Sequence, residues 1–270
     1  MSLNKPRVGL ALGAGAARGL AHIGVLQVLQ EENVPIDLIA GSSIGSVFGA
    51  MLACRQDFHR LERLILEIRQ KQFIDISVPR MGLLKGNKVE EMLRLLTHNK
   101  NFDQLDLPLF VVAVDLVKGE KVIINEGNVA EAVRASIAIP GIFKPVLAGG
   151  RVLVDGAVMD RVPIAVTREQ GAEIVIAVDV KFGGSERKTQ QVNNIFDVIL
   201  LSLDLLDREL ASRFIIEADV LIQPDLSDIN PNNFDDAHNG IIRGRAAAKE
   251  MLPSIKQLIS EPRPVRNNNK

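Results

Sequence analysis

The 270-residue chain has no tryptophan or tyrosine, one cysteine and four histidines. A single thiol, Cys54, excludes an internal disulfide and a cysteine-rich zinc site. Four scattered histidines give no metal-ligand spacing, so no metal is expected. Stacking platforms for single-stranded nucleic acid would have to come from the ten phenylalanines. An excess of either charge is also missing: 32 basic residues oppose 33 acidic ones, a formal net of −1, which leaves no field to hold a nucleic acid partner. Long apolar runs are absent too. The longest uncharged stretch, residues 38–54, is 17 residues, at the short limit for a membrane span. Gly41, Ser42, Ser43 and Gly45 crowd one end of it, so it reads as a turn followed by a helix. The polar start, Met1 to Arg7, lacks the apolar region and small-residue cleavage site of a secretory signal. The expected location is cytoplasmic. What remains is ordinary globular composition, 47% apolar and 24% charged, enough for one substantial core.

Apolar runs at 7–12 and 36–40 read as buried strands. Helical spacing at 20–32 and 46–54 follows them, giving a βαβα order that implies a mostly parallel sheet covered by helices on both faces. Amphipathic helices are predicted at 57–72 and 89–96, an insertion after the second helix long enough to form a cap. Strands are expected at 109–114, 121–124, 151–154, 174–180 and 220–223. Further helices are expected at 129–136, 164–170, within 192–218, and at 241–259. No repeat or linker is visible. The expected organisation is an N-terminal tail over 1–6, a single domain over 7–260 and a polar tail over 261–270.

Gly41-Ser42-Ser43-Ile44-Gly45 fits G-x-S-x-G between a predicted strand and a predicted helix. A sharp strand-to-helix turn strains the central serine and exposes its hydroxyl at the carboxyl edge of the sheet. Flanking glycines admit neighbouring backbone where a Cβ would clash. The positive end of the following helix favours negative charge beside the serine. Ser43 is therefore the candidate nucleophile, the alternative being a tight turn with a serine cap. An oxyanion hole is expected from the loop Gly13-Ala14-Gly15-Ala16-Ala17-Arg18, which follows the first strand at the same edge. A dinucleotide fingerprint would want glycine where Arg18 stands and an acid at the end of the second strand, but Asp37 lies near that strand's beginning.

Among the histidines, His22 reads as a packing or capping residue after the glycine loop, and His59 and His98 fall on the amphipathic helices. Only His238 comes late enough for a Ser…Asp…His order, and its polar setting, Asp235 to Gly240, reads as a surface loop. Asp155, in Leu153-Val154-Asp155-Gly156-Ala157, ends a short apolar strand, where such sheets place chemistry. On its own it reads more readily as an ordinary Asp-Gly turn.

Together these blocks resemble the patatin-like phospholipase family. Arg7 to Leu12 with the glycine loop and Arg18 to Leu26 resemble its first block, and Ile36 to Gly45 its nucleophile block. Ala135-Ser136-Ile137-Ala138-Ile139-Pro140-Gly141-Ile142-Phe143 resembles the third signature, and Val154 to Ala157 the aspartate block. The resemblance implies a three-layer α/β/α fold with a mostly parallel central sheet and a helical insertion after the nucleophile helix. It implies a Ser43–Asp155 dyad without a third member, an acyl-enzyme and no cofactor. The implied substrate is a lipid or fatty acyl ester, with transient, peripheral contact at a membrane surface. A free aspartate is a weak base for a serine proton at neutral pH, so such a dyad has to rely on geometry and a shielded pocket. Ala14 and Ala16 interrupt the family's glycine run, and Ala157 replaces a frequent glycine. Neither change removes a catalytic functional group. Ser136, Pro140 and Gly141 read as structural. Arg18 either fixes the loop by pairing with a buried carboxylate, the preferred reading, or faces a substrate phosphate. The competing function is a regulatory or adaptor protein on the same scaffold.

Overall fold

The computed structural model describes residues 5–67, 84–181, 192, 195–211, 218–231, 234 and 236–261. Its centre is one eight-stranded sheet: β1 (Val8–Leu12), β2 (Leu38–Ser42), β3 (Leu109–Asp115), β4 (Glu120–Ile124), β5 (Val146–Ala148), β6 (Arg151–Asp155), β7 (Ile174–Val178) and β8 (Val220–Ile222). The order is β5-β6-β3-β2-β1-β7-β8, with β4 also paired to β3. The β3-β2-β1-β7-β8 run is parallel, and β4, β5 and β6 join antiparallel. Every residue of β1, β2, β3 and β7 is buried, as continuous apolar runs in a two-sided parallel sheet require.

One face of the sheet packs against α1 (Ala21–Glu31), α2 (Ile44–Ala53), α5 (Val129–Ser136) and α8 (Ala237–Ser260) in the larger core. The insertion after α2 supplies α3 (Phe58–Glu67) and α4 (Asn87–Leu96), which bury Phe58, Leu61 and Leu93 in that core. The other face carries α6 (Ile164–Glu169), with Ile164 and Val166 over Ala11, Leu38 and Ala40. The remaining helix, α7 (Ile195–Ala211), precedes β8. This is the three-layer α/β arrangement, and among the described residues no helix is long and apolar enough to cross a membrane.

Several expected boundaries move. The first helix begins with a 3-10 turn, Ala16–Leu20, before α1. The elbow helix starts at Ile44, directly after Ser43, because its first turn is closed by the serine carbonyl. The three-residue β5 is too short to show a period. His238 lies in the first turn of α8, exposed, and not in a loop. His98 follows α4 in a left-handed turn. The end of the helix expected at 57–72, part of the one expected within 192–218, and the tail over 262–270 lie outside the described residues.

Helices α1 and α8 meet backbone to backbone. A Cβ on Gly24 would fall 1.9 Å from the Ile241 carbonyl oxygen, and one on Gly244 would fall 2.0 Å from that of Ala21. Backbone cannot yield as a side chain can. Gly24→Ala is expected to destabilise the fold by about 3 kcal/mol through overpacking. Urea unfolding followed by circular dichroism tests this; a loss below 1 kcal/mol, roughly the noise of a surface change, would contradict it.

Candidate active site

The site forms where two strands share one edge of β3. Ile39 N–H donates to the Pro108 carbonyl and Leu116 N–H to the Val152 carbonyl, so even-numbered residues of β3 face both partners. β2 occupies this edge up to the pair Ser42–Val112, and antiparallel β6 takes over from the pair Asp155–Ala113. The residue leaving β2 is Ser43 and the residue ending β6 is Asp155. The handover therefore brings them together across 112 positions of sequence, with Ser43 Oγ donating to Asp155 Oδ2 at 2.6 Å. Both side chains are buried.

Ser43 has φ +51° and ψ −128°, a conformation costing a non-glycine residue of order 1–3 kcal/mol. Its neighbours hold it there. The Ser43 carbonyl accepts Ser46 N–H at 2.8 Å and Ser46 Oγ at 2.6 Å. Close approach requires glycine at two flanking positions: a Cβ on Gly41 would meet Ser46 backbone at 2.6 Å, and one on Gly45 would meet the Leu12 carbonyl oxygen at 2.1 Å. Gly156, after the aspartate, is equally tight against the Val112 carbonyl oxygen at 2.3 Å. Asp155 Oδ1 accepts Ala157 N–H at 2.8 Å, which turns Oδ2 toward the serine.

Sequence reasoning placed Ser136 as structural without finding its contacts. At the handover the Val112 carbonyl faces the gap between β2 and β6. Ser136 Oγ donates to it at 2.6 Å and accepts Ser43 N–H at 2.9 Å. One hydroxyl thus bridges the sheet junction and the strained residue.

The glycine loop reaches the same edge, but its amides are not equivalent. Gly13 N–H donates to the Val178 carbonyl, Ala14 N–H to Arg161, Ala17 N–H to Pro231 and Arg18 N–H to Gly15. That corrects the expectation for these four residues: their amides are engaged by protein acceptors. Among the described residues, Gly15 and Ala16 N–H have no such acceptor, and Ala16 sits at φ +49°. The Arg18 side chain is buried, donating to the Ile229 carbonyl at 2.8 Å and the Lys181 carbonyl at 3.2 Å, with Asp204 at 3.4 Å.

None of the histidines meets the serine–aspartate pair. His59 is exposed beside Glu31, and His98 bonds Gln56 at the surface. His22 lies beneath the loop with Nε2 2.8 Å from the Gly13 carbonyl, so Nε2 carries the proton and Nδ1 is left without a partner. Burial pushes its pKa down to about 4, against smaller opposing effects of the Gly13 bond and Asp179. Asp179 is itself deeply buried. Burial alone would raise its carboxyl, but the paired Arg161 guanidinium and the Lys181 and Gln223 hydrogen bonds hold it below its ordinary value.

Fold and site together define an α/β protein of the strand-turn-helix elbow type, with a serine and a carboxylate facing each other at the sheet's carboxyl edge. The family model for patatin-like phospholipase matches residues 10–168, and the chain belongs to that family. It is 38% identical over 185 residues to an uncharacterized NTE family protein of Mycobacterium tuberculosis, covering 68% of this chain and 51% of the relative. It is 32% identical over 190 residues to patatin-like phospholipase domain-containing protein 6 of Homo sapiens, covering 67% of this chain and 14% of that protein. The chain thus spans about half the length of the mycobacterial relative and far less of the human one. The fold is similar to the crystal structure of VipD from Legionella pneumophila, with TM-score 0.66 at 13% identity over 93% of this chain and 67% of that one. It is also similar to that of the type III effector ExoU, with TM-score 0.50 at 14% identity over 96% and 54%.

Two outcomes follow from these contacts. Ser136→Ala leaves a buried carbonyl and a buried N–H unmatched, and should lower unfolding free energy by about 2–4 kcal/mol in urea titrations. A change within 0.5 kcal/mol would mean the bridge carries no net stability. Separately, unfolded His22 takes a proton near 6.5 and folded His22 only near 4, so stability is lost as pH falls through that window. The loss from this group approaches about 3 kcal/mol at the lower end. Unfolding midpoints at a series of pH values should fall less steeply in His22→Gln; equal slopes would show that another group titrates.

Proposed function

We propose that this chain is a serine acyl hydrolase acting on lipid acyl esters, with Ser43 as nucleophile and Asp155 as its general base. The observation that carries this reading is the 2.6 Å hydrogen bond from Ser43 Oγ to Asp155 Oδ2 on the elbow. Membership of a family of lipid hydrolases supports it.

In the first half-reaction Asp155 Oδ2 takes the hydroxyl proton as Ser43 Oγ bonds to the ester carbonyl carbon. The carbonyl oxygen becomes an oxyanion. Gly15 and Ala16 N–H, which have no protein acceptor among the described residues, are the glycine-loop donors that receive it, and the N-terminus of α2 adds its positive field. Collapse expels the alcohol, which takes the proton from Asp155 and leaves an acyl-enzyme on Ser43. Water then gives a proton to Asp155 and attacks the acyl carbon, and collapse returns the proton to Ser43 and releases the carboxylic acid. Ala157 N–H on Oδ1 holds the carboxylate in both half-reactions, joined in the first by the short bond from Ser43, so geometry offsets its weak basicity. Phospholipid, lysophospholipid and simple carboxylic esters all fit this chemistry and form the substrate screen.

A fluorophosphonate needs an activated serine and an oxyanion hole but not the true substrate. Intact mass should show one adduct on the wild type and none on Ser43→Ala. Asp155→Asn should slow labelling by roughly 10³-fold. Folded wild-type protein that takes no adduct, with or without vesicles, would favour the regulatory scaffold.

A further inference from the structure

Helix α7 is built inside out. Asp197 and Asp204, seven residues apart, are buried on its inner side with Leu200. Ile195, Val198, Ser202, Leu205 and Leu206 form the opposite stripe at helical spacing, and Leu206 is 63% exposed. Water favours the reverse arrangement, charge outward and leucine inward.

The inner side explains how the helix is held. Asp204 receives Lys181 Nζ at 2.9 Å and Arg18 at 3.4 Å. Arg18 belongs to the glycine loop after β1, and Lys181 follows β7, so this end of α7 is tied to the carboxyl edge of the sheet. Five residues earlier, Ile199 rests on Gly141, where a Cβ would lie 3.0 Å from Ile199 Cδ1. Gly141 belongs to the turn whose Ala138 carbonyl accepts Asp155 N–H. The helix therefore runs along the rim of the site, from the aspartate side to the glycine loop, with its apolar stripe facing away.

A second exposed group lies at the same edge. The β3–β4 hairpin presents Leu116 and Val117, the latter 76% exposed, and β5 presents Leu147. Leu116 N–H bonds Val152, which pairs with Leu147, so the two strands carry these side chains side by side. Exposed Lys118, 3.6 Å from Glu120, and exposed Arg151 stand beside them.

We propose that the outer stripe of α7, with these two hairpin tips, is the face by which the protein settles on a lipid surface bearing anionic headgroups. The inference rests on the proposed lipid acyl hydrolysis, because it puts the rim of the site against the phase that holds such a substrate. Cations among exposed apolar side chains complement anionic headgroups.

The test is co-sedimentation of the full chain, as Ser43→Ala, with phosphatidylcholine vesicles with and without phosphatidylglycerol. The parent should bind, more strongly with the anionic lipid. The triple variant Val198→Ser, Leu205→Ser, Leu206→Ser should partition roughly tenfold less. The same substitutions with Ser43 intact should take the fluorophosphonate at the parental rate, which verifies folding and separates this proposal from failure of the serine chemistry. Unchanged partitioning of the triple variant overturns the proposal. So does a lipid-free dimer of the parent in sedimentation velocity that the substitutions dissociate, since a second copy would then be the occupant.

Discussion

The shared edge of β3 is the constraint on which the site depends. A strand edge offers a row of backbone groups, and a neighbour that ends early leaves the remainder exposed. Here β2 ends at Ser42, opposite Val112, and β6 takes the edge from Ala113 onward in the opposite direction. Two chain ends therefore meet head-on within one sheet, one leaving into α2 and the other into the 3-10 turn Gly156–Val158. The meeting places Ser43 against Asp155 and creates a gap at the Val112 carbonyl. Ser136 fills that gap with a hydroxyl, which both donates and accepts. The serine–aspartate geometry and sheet continuity are satisfied by the same few atoms.

Much of this was legible in the sequence because it is local. Buried parallel strands appear as apolar runs, and a serine between glycines at the end of such a run marks an elbow wherever a helix follows. Asp155 was legible only in part, since an Asp-Gly pair after a strand reads more readily as an ordinary turn; resemblance to a family raised it above that. What sequence could not supply is register. The meeting of Ser43 with Asp155, the bridge from Ser136 and the three-residue β5 all depend on which residues of β3 face which neighbour. The glycine loop shows the same limit. Its six candidate amides look alike in the chain, yet Ala14 is engaged by Arg161 and Ala17 by Pro231, partners far away in sequence.

Helix α7 marks a different limit. Its periodicity predicts a helix correctly, but apolar periodicity alone cannot say which side faces water. An ordinary reading would bury the leucines and solvate Asp197 and Asp204. The opposite holds in the structure, where Asp204 lies between Arg18, in the 3-10 turn after β1, and Lys181, after β7. Charge pairing at the carboxyl edge thus decides the orientation of the helix.

The same logic explains why a buried histidine stands apart from the serine–aspartate pair. His22 is buried under the glycine loop, and its one proton is committed to the Gly13 carbonyl. Burial keeps the ring neutral down to about pH 4, so it braces the loop without adding a charge to the core. Moving it to the serine would leave the Gly13 carbonyl unsatisfied and shift the loop that it braces. Asp155 already fills the position a base would take, fixed by Ala157 N–H on one oxygen and Ser43 on the other. A third member would have to orient a mobile imidazole. Here the carboxylate is anchored at the end of a strand, and backbone does the orienting.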